Sequence, residues 1–85
     1  FVRSEGNYLE IICSKKREIT RMKIGDFLQE LPTNQFIQVH RRYLINQAKI
    51  SAINTHTIWI DQEKIPISDS YKKDVHELLK DIKVR

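Results

Sequence analysis

Apolar residues recur along this chain with two different periods. From Tyr8 to Cys13, the residues Leu9, Ile11 and Cys13 fall at every second position. That alternation belongs to a strand with one buried face. Phe1 to Ser4 reads as the strand before it. Glu5-Gly6-Asn7 reads as the turn between them, since glycine and asparagine tolerate positive φ. Ser14-Lys15-Lys16-Arg17 is a charged turn leading to a third strand over Glu18 to Met22. The period then changes. Ile24, Phe27, Leu28 and Leu31 stand at i, i+3, i+4 and i+7, the stripe of an amphipathic helix, and Pro32 stops it.

The second half returns to short strands, over Phe36 to His40, Tyr43 to Asn46 and Lys49 to Ile53. Asn54-Thr55 turns the chain into Thr57 to Ile60, and Asp61-Gln62-Glu63 turns it into Lys64 to Ile67. Pro66 confines that last run to an edge or a strand end, because proline cannot donate to a ladder. Ser68 is a candidate N-cap for a closing helix, with Asp69 in its first turn, where negative charge suits the helix dipole. Tyr71, Val75, Leu78, Leu79 and Ile82 would form its apolar face. Many short strands with segregated helices predict a mainly β or α+β domain.

One interruption stands out. His40-Arg41-Arg42 breaks the apolar pattern of Ile37, Val39, Tyr43 and Ile45. Buried unpaired, such residues would cost stability, so a bend or strand end aimed outward is expected. On a true strand the two arginines would point to opposite sides; on a turn both could face one ligand. Arginine's planar fork suits phosphate and guanine edges.

Composition narrows the function classes. Eighty-five residues make one domain, and 15 Lys and Arg against 11 Asp and Glu give a net charge of +4. This bias is compatible with nucleic acid without requiring it. The one cysteine, Cys13, excludes an intrachain disulfide framework, and its place on the apolar strand face predicts a buried, inert thiol. A reducing cytoplasm fits, and no apolar run approaches a membrane span. Beginning at Phe1 inside an apparent strand, the chain reads as a fragment of a longer protein. Scattered His40, His56 and His76 lack zinc-site spacing. No nucleophile–base–acid constellation and no glycine-rich phosphate loop is visible, so neither catalysis nor a cofactor is expected.

Four blocks then occur in order: Ser4-Glu5-Gly6-Asn7-Tyr8, Phe36 through Asn46, Ile50, and Ile65-Pro66-Ile67-Ser68 followed by Tyr71-Lys72-Lys73. Together they resemble the LytTR DNA-binding domain family, over nearly the whole chain apart from first strands that would precede Phe1. The resemblance implies stacked small antiparallel sheets with two short helices. It implies a bacterial sequence-specific transcription factor, commonly the C-terminal output module of a two-component response regulator. Such a module has an upstream receiver domain and a sensor histidine kinase as partner. It reads direct repeats in double-stranded DNA, as a dimer on the site, by docking loops into successive major grooves. The contact residues carried over by motif are Asn7 and Tyr8, then His40, Arg41 and Arg42, then Asp69, Ser70, Lys72 and Lys73. Two positions depart from the family pattern. Asp69 stands where arginine is common, and a carboxylate can accept from cytosine N4 but repels phosphate. Arg42 stands where a small polar residue is common.

Each candidate also has a plainer role. Asn7 suits turn geometry, and His40 suits a packed, hydrogen-bonded histidine. Lys72 and Lys73 suit a solvated helix face, paired with Asp69 or Glu77. Lys15, Lys16 and Arg17 read as a solvated turn away from the contact face. The competing function is a small protein-interaction module presenting its Pro66 edge or its Trp59 face to a partner. RNA binding has less support, lacking an aromatic-rich sheet motif.

Overall fold

The computed structural model describes residues 1–13, 16–32 and 35–80. Among them run eight strands: β1 (Val2–Glu5), β2 (Tyr8–Cys13), β3 (Lys16–Arg21), β4 (Phe36–His40), β5 (Tyr43–Asn46), β6 (Ala52–Ile53), β7 (Thr57–Ile60) and β8 (Glu63–Pro66). Two short helices, α1 (Ile24–Gln29) and α2 (Lys72–Leu78), complete the described elements. The strands form two antiparallel sheets, one ordered β3-β2-β1-β5-β4 and the other β6-β7-β8. This is the mainly β architecture with two helices that the sequence predicts.

Local chemistry explains the turns. Glu5 pairs with Tyr8, leaving Gly6 and Asn7 as a two-residue hairpin turn. Gly6 takes φ +59°, while Asn7 stays outside the positive region. A glycine at the first central position is the type II′ pattern, whose twist matches the flanking strands. Asp61 supplies the other positive φ, 55°, between paired Ile60 and Glu63. In the Asn54 turn the side chain takes over two backbone donors. Its Oδ1 accepts from His56 N–H at 2.9 Å and Thr57 N–H at 2.8 Å.

Leu44 and Ile45 explain the layering. They are consecutive on β5, so they face opposite sides, and both are 0% exposed. Leu44 joins Val2 and Leu9 under the half-buried stripe Ile24, Phe27, Leu28 and Leu31 of the α1 region. Ile45 joins Ile37 and Val39 against Ile53, Ile58, Ile60 and Ile65 of the second sheet and Val75 and Leu79 from the α2 end. The β5 strand is therefore covered on both faces.

Several sequence expectations need correction. Lys49 to Ile53 is not one strand: Gln47–Lys49 is a 3-10 turn, and only Ala52–Ile53 pairs. Asn46 Oδ1 accepts from Ala48 N–H at 3.0 Å, diverting the chain from the ladder. Lys16 and Arg17 belong to β3 and not to the turn, whose Ser14 and Lys15 lie outside the described residues. Cys13 is exposed, not buried. Cys13 pairs with the exposed Lys16 at the last rung of the β2–β3 ladder, away from Leu9, the β2 residue buried in the core. Leu78, expected on the apolar face of the last helix, is 61% exposed. Val75 and Leu79, at i and i+4, are buried in the core with the half-buried Tyr71 packed against it, and Ile82 lies outside the described residues. Trp59 is half-buried, between the buried Ile58 and Ile60 and on the opposite face of its strand. No helix among the described residues is long and apolar enough to cross a membrane.

Candidate nucleic-acid interface

All three candidate loops gather at one end of the five-stranded sheet. Strand β1 ends where β5 begins, since Arg3 pairs with Tyr43. The ladder continues past that pair: Ser4 N–H donates to Arg42 C=O at 2.7 Å. The Gly6-Asn7 turn and the Arg41-Arg42 turn are thereby neighbours. Ser68 N–H donates to Val39 C=O at 3.0 Å, which brings the segment before α2 to the end of β4.

The Arg41-Arg42 turn depends on an irregularity in β4. Gln38 pairs with Leu44 and His40 with Tyr43, so Val39 is an extra residue, a β-bulge. The bulge keeps Val39 in the core at 0% exposure and still sets His40 beside Tyr43, their rings edge-on at 5.5 Å. Side chains then brace the turn from outside it. Gln38 Nε2 donates to His40 C=O at 3.3 Å and to Arg41 C=O at 3.4 Å. Arg42 N–H donates to His40 Nδ1 at 3.1 Å. An accepting Nδ1 carries no proton, so the neutral ring keeps its one N–H at Nε2. His40 is thus the hydrogen-bonded histidine of the plainer reading, with one donor left over. Arg41 and Arg42 are both exposed and both in the turn, so the opposed geometry of a true strand does not apply.

Asn7 is exposed at the tip of its hairpin, and its C=O accepts from Met22 N–H at 3.2 Å. Tyr8 is 52% exposed, facing Glu5 on one side and Arg21 on the other. The third segment is not capped as expected. Ser68 makes no side-chain cap hydrogen bond; its Oγ lies 3.4 Å from Ser70 Oγ. A 3-10 turn over Asp69–Tyr71 precedes α2, closed by Tyr71 N–H donating to Ser68 C=O at 3.0 Å.

Charge divides the cations into two groups. Lys72 Nζ sits 2.7 Å from Asp69 Oδ1, at i+3. Its hydrogen bond and charge hold the Asp69 carboxyl below the usual carboxylate range. Arg3 and Arg17 share Glu10 on the open half of the sheet. Arg41, Arg42 and Lys73 are exposed and make no ion pair among the described residues. Register adds two residues that reading the motifs alone misses. Arg21 pairs with Tyr8, and Lys23 follows the Met22 that bonds Asn7. Both are exposed at this same end. Counting back along the β2–β3 hairpin from its turn would have found them.

Comparison with known proteins bears on the fold and the family. The chain is similar to a solved structure described as the LytTr DNA-binding domain of a methyl-accepting/DNA response regulator from Bacillus cereus. The TM-score is 0.84, covering 92% of this chain and 77% of that one. At 23% identity this likeness speaks for the fold. No curated protein matches. The sequence model of the LytTr DNA-binding domain family matches residues 1–80, nearly the whole length, and the chain therefore belongs to that family.

Proposed function

We propose that this DNA-binding domain is the output module of a bacterial two-component response regulator, a cytoplasmic transcription factor that reads direct repeats. A receiver domain would precede it, and a sensor histidine kinase would supply its signal. The observation that carries the reading is the convergence of three loops on one end of a sheet, held by the Ser4–Arg42 and Ser68–Val39 backbone hydrogen bonds. Loops fixed to one another can enter DNA as a unit without first being ordered, which spares the entropy of arranging them.

Roles follow from chemistry. Asn7 has the amide that pairs bidentately with adenine, and Arg41 the fork that pairs with guanine. Arg42, Lys73 and the His40 Nε2–H hold phosphate oxygens, with Tyr8 and Ser70 as neutral donors beside them. Lys72 is offset by Asp69, which can accept from cytosine N4. Major grooves on one face of B-DNA recur about every 34–36 Å, so repeats one helical turn apart present the same face. Two such domains on adjacent repeats make the dimer on DNA.

The test is selection from a random duplex library, followed by salt titration on the enriched site. Neutralising about five phosphates gives a slope of log affinity on log salt near −4.5, or roughly a 500-fold loss between 50 and 200 mM. A motif repeated at about one helical turn with that slope is the expected result. Weak binding to every duplex without enrichment, in this chain and in one extended upstream, would overturn the reading.

A further inference from the structure

We propose that Arg21 and Lys23 form a phosphate clamp on the outer flank of the Gly6-Asn7 loop, one strand beyond the three contact loops. The inference rests on the DNA reading and adds a fourth contact segment to it. Sheet order puts β3 at the edge, outside β2, so no further strand of the sheet covers Arg21 on that side. Arg21 lies directly across from Tyr8, and the Met22–Asn7 hydrogen bond ties the chain between Arg21 and Lys23 to the loop itself. Lys23 is in extended conformation (φ −80°, ψ 145°) at the N-cap position of α1, two residues past the end of β3.

Distances favour phosphate over bases. Neighbouring strands lie about 5 Å apart. The B-DNA major groove is about 12 Å wide, so its phosphate walls stand about 6 Å from a loop tip at its centre. With Asn7 in the groove, a long cation one strand outward therefore meets the wall. Arg21 and Lys23 are free to do so, because neither has an ion-pair partner among the described residues. They also offset Glu5, the exposed acid on the same loop, which would otherwise repel the backbone it approaches. Arginine contributes a bidentate fork and lysine a point charge, the two usual ways of holding a phosphate.

The experiment compares the 85-residue chain with Arg21→Ala, Lys23→Ala, the double variant and Arg21→Lys, with Arg41→Ala as reference. Binding to the selected site and to a random duplex is titrated with salt, and folding is followed by thermal unfolding. Both positions are exposed, so unfolding midpoints should stay within a few degrees. Each alanine should weaken both duplexes alike, about fivefold near 0.15 M salt, and flatten the salt slope by about 0.9. The double variant should lose about 30-fold and 1.8 in slope. Arg21→Lys, which keeps the charge, should recover most of the loss. Arg41→Ala affecting binding while the double variant binds with unchanged slope would overturn the clamp and leave the DNA reading intact. A loss confined to the selected site would also overturn it, since phosphate contacts carry no sequence information. Failure of the unaltered chain to bind any duplex would remove both.

Discussion

Two pairs of arginines lie on the same sheet in different electrostatic surroundings. Arg3 and Arg17 flank Glu10 and share its carboxylate, so one acid offsets part of their combined charge. Arg41 and Arg42 have no carboxylate within reach among the described residues, although Glu5 stands on the neighbouring loop. Net charge does not distinguish them; pairing does. A surface cation already matched to an acid gives little to an arriving phosphate, whereas an unmatched one releases DNA counterions. Local pairing therefore separates cations that the total of +4 does not distinguish.

That contrast can be broken or sharpened experimentally. The largest effect should come from Leu44→Ala, which opens a cavity beneath the strand supporting both groups. A loss of about 2–5 kcal/mol is expected in chemical denaturation, with DNA binding lost only as the fold is lost. Next, Arg41→Ala should cost about 1–3 kcal/mol of binding and relax discrimination at one base pair, with an unchanged unfolding midpoint. An Arg41→Ala protein that binds its site as before would end the assignment. Glu10→Gln should do the reverse. Stability should drop by no more than about 1 kcal/mol, less at high salt, while the ratio of specific to random binding stays constant. The smallest effect belongs to Asp69→Asn. Removing one negative charge from the third loop should tighten binding to most duplexes roughly two- to threefold at low salt. A cytosine read by Asp69 would show itself as the exception, binding more weakly.

Much of this was legible in the sequence because it is local. Alternation over Tyr8 to Cys13 and the Gly6-Asn7 turn predict a hairpin, and the hairpin is there. The break at His40-Arg41-Arg42 predicts a bend, and the turn is there. The i+3 spacing of Asp69 and Lys72 already allows their ion pair. What was not legible depends on pairing partners. The bulge at Val39 exists only relative to β5, and the exposure of Cys13 only relative to its place at the end of the β2–β3 ladder. Arg21 looks like any strand residue until register sets it beside Tyr8. Leu78 fits the helical stripe on paper. The helix starts only at Lys72, after a 3-10 turn, so its short buried face is Val75 and Leu79 alone.

The bracing of the Arg41-Arg42 turn has a consequence for how such a domain can diversify. The hydrogen bonds described for the turn run to backbone groups: Gln38 on His40 C=O and Arg41 C=O, His40 on Arg42 N–H, and Ser4 on Arg42 C=O. None requires the guanidinium groups. The two side chains are thus interchangeable letters on a fixed mount. A combinatorial library varying only positions 41 and 42 should keep one fold while sampling many DNA preferences. The same library at positions 38 and 40 should yield misshapen mounts. New targets would then be acquired by exchanging two residues, with the scaffold that presents them left unchanged.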